Sequence, residues 1–411
     1  MRLAIVALNA YPAIVPSAGQ AIGGLETFAW SLARTLASDP AMSVDFLVRH
    51  TSRPVQNIVD GVTLHFEVET YRSLRQAVSR DVEFTGRFPG LRVHYFRPAL
   101  MWQIPLLALA KLTCPRANLT TRVEVFLKDC QPDVVLALGA GDGTAAAVQA
   151  AKLVGVPAWV WWQSNSDLNA RFVTDDTFRE SNGVTAQEAR AAYLADGFIS
   201  QTQWQQDQLT KLLHRDSSLI SNPVDSERFP VGDATATARP EVLWIGRFDR
   251  HHKRPHLALE IARLCPQIPF QFVINPGDPA VEQEVRRNTP PNVRLTDYIP
   301  RDAMPHAYRS ARLFLSTGSN AYEGFPNVLL EAAASGTPLV SLEDFDSFLT
   351  RSGAGFSSGE DIARLANKIR ELWDMPPEWH ACSRAGAEYV RCQHSLSACV
   401  ATFRAALLRT P

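Results

Sequence analysis

Residues 318–342 constrain this chain more than any other stretch. They read Gly-Ser-Asn-Ala-Tyr-Glu-Gly-Phe-Pro-Asn-Val-Leu-Leu-Glu-Ala-Ala-Ala-Ser-Gly-Thr-Pro-Leu-Val-Ser-Leu. Pro326 suits the first turn of a helix, where its missing N–H has no partner to lose. Residues 328–334 are good helix formers, and Gly336 followed by Pro338 is a stop signal. Residues 339–342 then read as a short buried strand. Glu323 therefore falls in a loop at a helix mouth, and Glu331 about a turn and a half inside the helix. The two carboxylates are not a pair on one helix face. A helix mouth points free N–H groups and positive dipole outward, which suits a phosphate. A carboxylate on each side of it suits sugar hydroxyls, a geometry that hints at a nucleotide sugar.

The run Glu-Gly-Phe-Pro-Asn-Val-Leu-Leu-Glu resembles the Glu-x7-Glu motif of retaining nucleotide-sugar glycosyltransferases with the GT-B fold, most closely glycosyltransferase family 4, the glycosyl transferases group 1. The resemblance implies an α/β protein of two Rossmann-like domains facing a cleft. It also implies that Glu331 holds ribose hydroxyls and Glu323 holds hydroxyls of the donor sugar. Gly324, Phe325, Pro326, Asn327, Val328 and Leu329 would form the mouth that meets the diphosphate.

Length and composition fit that architecture. A chain of 411 residues favours at least two domains, and 46% hydrophobic residues suffice for large cores. With 41 basic against 42 acidic residues, no strong net field would draw it to nucleic acid. Its six cysteines show no Cys-x-x-Cys pair and read as free thiols in a reducing compartment. Residues 1–15 are apolar, but one basic residue precedes the run and no clear cleavage site follows, so residues 3–8 read as a first strand. The apolar run 98–112 contains Pro105 and Lys111 and is too short to span a bilayer. Asn118-Leu119-Thr120 fits a glycosylation sequon by chance in such a compartment. The expected location is cytoplasmic.

Strand, loop and helix alternate from the start. After residues 3–8 a loop leads to Gly23-Gly24-Leu25-Glu26 and a helix with Leu25, Phe28, Leu32 and Leu36 on one face; residues 44–48 are the next strand. Gly23 and Gly24 allow backbone to approach a ligand at a helix start, and the resemblance places this loop near donor phosphates and acceptor. Residues 139–144, Gly-Ala-Gly-Asp-Gly-Thr, nearly match a dinucleotide fingerprint but carry Thr144 in place of its third glycine. A tight turn before an Ala-rich helix is the better reading. Strand 156–162 leads to Gln163, Ser164 and Asn165, expected on the acceptor side; Gln163 stands where relatives carry a histidine, and a neutral amide carries no proton. Between residues 81 and 102, Arg87, Arg92 and Arg97 interleave with Phe84, Phe88, Tyr95 and Phe96. A half-buried subdomain with arginines over its rim is the favoured reading, and peripheral membrane contact through residues 84–102 is the alternative.

The first domain is expected over 1–222, closing with Asn222-Pro223-Val224-Asp225, which resembles the family's interdomain segment. Residues 231–240 read as a linker. The second domain, 223–394, opens with a strand ending Gly246-Arg247, with Lys253 six residues on. Those two cations resemble the family's diphosphate clamp. The resemblance also implies that Ile299 begins a loop whose backbone pairs with the base, and that the tail 395–411 returns to the first domain. His252 and His256 have the spacing of a metal pair but lack completing ligands. Asp344-Phe345-Asp346 has metal-binding spacing but reads as a surface loop.

The expected function is transfer of a hexose-type sugar, with retention, from a UDP- or GDP-type donor to an acceptor hydroxyl in polysaccharide or glycoconjugate synthesis. Glu323, Arg247 and Lys253 are the expected catalytic residues, with no cofactor and no metal. A nucleotide-sugar epimerase, a non-catalytic nucleotide-sugar binder and an NAD enzyme are the competing readings.

Overall fold

The computed structural model describes residues 1–15, 23–50, 57–68, 71–79, 81–84, 90–113, 118–232 and 239–408. The middle of the loop before Gly23, Arg87, Phe88, Cys114, linker residues 233–238 and the last three residues of the tail lie outside them. The strands in chain order are β1 (Arg2–Val6), β2 (Ser43–His50), β3 (Ile58–Val59), β4 (Val62–Val68), β5 (Val82–Phe84), β6 (Leu91–Val93), β7 (Val134–Leu138), β8 (Ala158–Trp161), β9 (Gly197–Ser200) and β10 (Ser218–Leu219), then β11 (Glu241–Arg247), β12 (Phe270–Asn275), β13 (Val293–Thr296), β14 (Ala311–Ser316), β15 (Leu339–Ser341) and β16 (Gly355–Ser357).

Two doubly wound sheets result. The first has the order β10-β9-β8-β7-β1-β2-β4-β3, parallel except for its edge strand β3. The second, β13-β12-β11-β14-β15-β16, is parallel throughout. Continuous apolar strands such as Val134–Leu138 and Ala158–Trp161 are buried along their whole length, as strands covered on both faces must be. Strand order reverses between β1 and β7 in one sheet and between β11 and β14 in the other, and a crevice opens at the carboxyl ends of such strands.

Short βα turns shape both crevices. Gly139 (φ +68°) and Gly141 (φ +149°) adopt backbone conformations that favour glycine. Thr144 is buried inside the following helix, Asp142–Val154, and its hydroxyl donates to Leu138 O at 3.1 Å. The hydroxyl thus ties helix to strand where a fingerprint glycine would allow close packing. Asn118 caps helix Leu119–Cys130 by accepting from Thr120 N, which gives the sequon a structural use.

The last helix, Leu396–Leu408, packs on the first sheet beside helix Gly24–Ala37; Cys399, Val400, Phe403, Ala406 and Leu407 enter the same core as β1 and β2. Phe403 stacks on Trp161 with centroids 5.6 Å apart. The chain crosses between domains twice, and the crossings touch. Val224 N donates to His394 O at 2.8 Å, and a parallel bridge joins Val224 to Ser395.

Between β4 and helix Leu119–Cys130 sits a small insert: helix Arg72–Ser79, the hairpin β5–β6 and helix Leu100–Thr113, around Val78, Val82 and Leu100. Arg97 lies at its rim, donating to Asp81 and to Ala77 O at 2.8 Å. Tyr95 and Phe96 do not close over that core; both are exposed. Among the described residues no helix is long and apolar enough to cross a membrane.

The second domain's Glu323 loop is held by the first domain. Ser164 Oγ donates to Tyr322 O, Asn165 Nδ2 to Asn320 O at 2.7 Å, and Phe325 N to Gln201 Oε1 at 3.0 Å. Asn222 Nδ2 donates to Phe325 O at 3.2 Å and to Asn327 Oδ1 at 2.8 Å. At Gly324 a Cβ would lie 2.7 Å from both Gln163 O and Gln201 Oε1.

Two outcomes follow from this packing. Phe403→Ala should destabilise the protein by about 3–5 kcal/mol, the usual cost of removing a buried ring, measured by denaturant unfolding. Gly324→Ala should prise the domains apart. Overpacking of about 1–3 kcal/mol would weaken the closed arrangement by roughly fivefold to 150-fold. Small-angle scattering should then give a larger radius of gyration than wild type, with the thermal midpoint of each domain little changed.

Candidate active site

The site forms where the carboxyl ends of β11 and β14 face the start of helix Gly24–Ala37. Loop 317–327 is fixed before any ligand arrives. Arg254, in a left-handed conformation at φ +48°, donates to Thr317 O at 2.7 Å and to Gly318 O, and pairs with Glu343 and Glu360 at 3.0 Å. Asn320 N donates to Glu343 Oε2 at 2.8 Å, and Tyr322 packs against the rings of His251 and His252. Glu323 N closes a helical turn onto Ser319 O at 2.9 Å.

Glu323 Oε2 accepts from Lys253 Nζ at 2.5 Å, while Oε1 is buried without a partner among the described residues. A buried, unpaired carboxylate oxygen is costly unless a ligand satisfies it. Arg247 is exposed and pairs with Asp249 at 3.0 Å. Burial pushes the Asp249 carboxyl up, but the His252 hydrogen bonds and Arg247's charge outweigh it and hold it well below the ordinary range. On the opposite wall, burial raises the Glu26 carboxyl against the pull of its own backbone N–H and of Arg247. The Arg247 charge thus lowers a carboxyl on each wall.

Helix Asn327–Ala334 begins with Pro326 as its cap residue, one position earlier than sequence placed it, and no side chain caps the mouth. Phe325 N is taken by Gln201 and Leu329 N by Pro326 O at 3.1 Å. The mouth's remaining first-turn donors are those of Asn327 and Val328. Phe325, Pro326 and Leu329 point into the core, so they serve the site through backbone alone. Gly24 faces this mouth: a Cβ there would sit 3.5 Å from Asn327 Nδ2, and neighbouring Gly23 is the cap residue of its own helix. Gly246 has a different use, because a Cβ would strike the Trp244 ring at 2.3 Å. Its smallness serves core packing. Ile299 is half-buried against the core that holds Phe325 and Leu329.

Glu331 lines a cavity between the domains with Thr27, Arg34, Arg228, Arg301 and Asn327. Its Oε2 accepts from Tyr308 Oη at 2.7 Å. Burial raises its carboxyl above the ordinary value, partly offset by Tyr308, Arg301 and Arg228. Burial likewise lowers Arg301 to about 10, and Arg301 Nη1 reaches across to Thr27 Oγ1 at 3.0 Å. Because Tyr308 takes one oxygen, a pair of ribose hydroxyls would share the other or displace the phenol.

Ser164 and Asn165, assigned by sequence to the acceptor side, use their donors to hold the Glu323 loop. Gln163 lies against Gly324. Behind them Asp167 accepts from Ala140 N at 3.1 Å, and burial pushes its carboxyl up to about 7. The Asp344 and Asp346 carboxylates are occupied. Asp344 accepts from Leu349 N at 2.8 Å and Thr350 N at 3.0 Å, and Asp346 accepts from Gln203 N and pairs with Arg351. His252 bonds Asp249, whereas burial and Arg250 lower the pKa of His256. Among the described residues no group of three or more His, Cys, Asp or Glu is placed to hold a metal.

Sequence reasoning missed Thr27, Gln201, Arg228, Arg301 and Tyr308. None belongs to a local motif; each reaches the site from a separate element. Glu26 was visible beside the glycine pair, but nothing local marked its facing Arg247.

Residues 239–375 match the family model described as Glycosyl transferases group 1. No curated protein sequence matches the chain significantly. Among solved structures, a sucrose-phosphate synthase from Thermosynechococcus elongatus superposes with a TM-score of 0.67 at 16% identity, covering 100% of this chain and 98% of that one. TarM from S. aureus, solved with fondaparinux, alpha-GlcNAc-glycerol and UDP, gives 0.65 at 12% identity, covering 98% of each chain. A UDP-GlcNAc 2-epimerase from Neisseria meningitidis, bound to UDP-GlcNAc, gives 0.55 at 14% identity over 100% of both chains. The chain has the GT-B fold, and residues 239–375 of its second domain resemble the glycosyl transferases group 1.

Proposed function

We propose that this protein is a retaining glycosyltransferase that moves a hexose-type sugar from a nucleoside-diphosphate donor to an acceptor hydroxyl. The observation that carries this reading is Glu323: one carboxylate oxygen on Lys253 at 2.5 Å, the other buried and unpartnered, beside an uncapped helix mouth. Such an oxygen fits a donor-sugar hydroxyl. The cations and free N–H groups around it fit a diphosphate.

The nucleoside would enter the cavity lined by Glu331, Arg301 and Thr27, with Glu331 accepting from ribose and the loop at Ile299 facing the base. The diphosphate would lie across the N–H groups of Asn327 and Val328, with Gly24 giving the backbone room opposite. As the sugar–phosphate bond lengthens, negative charge grows on the leaving diphosphate. Arg247 and Lys253 stand on that side, and fixed positive charge there lowers the barrier without reorganisation. Lys253 would then be shared between phosphate and Glu323. The clamp supplies charge that other transferases take from a divalent ion, so turnover is expected without added metal. A UDP- or GDP-type donor fits; a role in envelope polysaccharide or glycoconjugate synthesis is the setting we favour, with a cytoplasmic location. The acceptor would approach along the first domain near Gln163.

A donor panel that follows nucleoside diphosphate release and glycoside formation separately tests the reading. Transfer with retained anomeric configuration is expected; epimerised sugar without transfer would place the chain with the epimerases, and binding without turnover would make it a carrier. Glu323→Ala should abolish transfer while leaving nucleoside diphosphate affinity within a few-fold. Glu331→Ala should weaken the free nucleotide by about 1.5–3 kcal/mol. Activity should survive excess EDTA, and its loss with restoration by magnesium or manganese would remove Arg247 and Lys253 as the sole charge supply.

The Glu331 carboxyl also sets a pH dependence. Its folded value lies above the ordinary 4.5, so protonation removes the charged acceptor at a higher pH than for an exposed glutamate. Nucleotide affinity, measured by calorimetry, should fall as pH drops through that raised value, and Glu331→Gln should flatten the step. The ligand-free protein responds in the opposite sense. A raised folded-state value favours folding below the ordinary pKa, and that contribution is lost as pH rises.

A further inference from the structure

The insert between β4 and helix Leu119–Cys130 carries a surface that the transferase site does not use. Helix Leu100–Thr113 is apolar apart from Gln103, Lys111 and Thr113. Leu100, Gln103 and Ala110 are buried, and Ile104 and Leu107 pack on Val78 and Val82. The opposite arc, about 140° wide at 100° per residue, holds Met101, Trp102, Pro105, Leu106 and Leu109. Those large side chains are 39% (Leu106) to 73% (Met101) exposed, and Tyr95 and Phe96, just before the helix, are 67% and 64% exposed. A helix that meets only water on its outer face carries polar residues there; this one carries none from Met101 to Leu109.

We propose that this face docks on a bilayer containing anionic lipid. The charge of the segment argues for that occupant. Residues 71–116 hold eight arginines and lysines against two acids, within a chain whose net charge is −1. Arg92 is exposed beside Tyr95 and Phe96. The composition matches an interfacial element: aliphatic and aromatic residues to enter the acyl boundary, Trp102 and Tyr95 with polar tips for the headgroup level, and cations for anionic headgroups. The helix has 14 residues and spans about 21 Å, short of a roughly 30 Å hydrocarbon core, so it lies in the plane of the membrane.

Topology sets the orientation. The insert leaves the sheet at the carboxyl end of β4 and returns through helix Leu119–Cys130, which runs back to the start of β7. Both of its ends are therefore on the carboxyl edge of the first sheet, the edge that faces the cleft. Docking would bring the first-domain side of the cleft towards the lipid surface. The proposal does not rest on the transferase reading, because vesicle binding needs no substrate.

Sedimentation with phosphatidylglycerol–phosphatidylcholine vesicles tests it directly. The full chain should pellet with these vesicles, pellet far less with phosphatidylcholine alone, and be released by salt. Met101→Ser combined with Trp102→Ser should weaken binding by about tenfold or more through lost apolar insertion, with the melting curve unchanged. Phe96→Ser, outside the helix, provides the same readout should the pair disturb folding. Arg92→Glu should weaken binding to anionic vesicles alone. Wild-type protein that stays in the supernatant overturns the proposal, as does pelleting that these substitutions leave unchanged. A lipid-free dimer that Met101→Ser with Trp102→Ser splits into monomers would assign the face to a second copy of the chain, and that too overturns it.

Discussion

The arrangement depends on one set of hydrogen bonds: the first domain's grip on residues 320–327. Ser164, Asn165, Gln201 and Asn222 donate to or accept from backbone and side chain of that loop. Gly324 sits where any side chain would collide with Gln163 and Gln201. The loop belongs to the second domain by connectivity and to both by contact. The domain contact and the shape of the site therefore rest on the same hydrogen bonds. The same contacts that bring the domains together orient Glu323 towards Lys253 and set the mouth of helix Asn327–Ala334 opposite Gly24. The contacts named across this surface are polar, as is common where domains of one chain meet.

The electrostatics of the cleft follow from that closure. Three carboxylates at the site are tied to a cation or a hydroxyl: Glu323 to Lys253, Asp249 to Arg247, and Glu331 to Tyr308 beside Arg301. In a half-buried cleft these pairs hold charge that would be costly alone. They also keep the cations at the carboxyl edge of β11, where a phosphate would meet them. Arg254 plays the opposite part. Its fork is consumed by Thr317, Gly318, Glu343 and Glu360, so it shapes the loop and lends no charge to a ligand.

Local sequence carried much of this. The helix after Pro326, the strand ending at Arg247 and the helix Pro255–Leu264 each obey short-range rules of capping, period and glycine placement, and so could be read one element at a time. Gly246 was legible as a glycine but not by its purpose, because its constraint is the Trp244 ring two residues back, on the same side of the strand. Ser164 and Asn165 were legible as cleft residues, while their partners at Tyr322 and Asn320 lie more than 150 residues away. The exposed aromatics at Tyr95, Phe96 and Trp102 were ambiguous for the same reason. Composition states that they are apolar, and packing alone states that the small core of Val78, Val82 and Leu100 leaves them outside.

What the sequence determined by itself is the alternation of strand and helix and the set of charged and glycine residues at the strand ends. These depend on interactions within a few residues, where spacing is geometry. The tertiary structure alone decided which of those groups meet: that Glu331 shares its carboxylate with Tyr308 and faces Arg301, that Arg301 reaches Thr27, and that Phe325 gives its N–H to Gln201. Each is a contact between elements distant in the chain, and the packing of two domains, not any local pattern, fixes its distance and its electrostatic consequence.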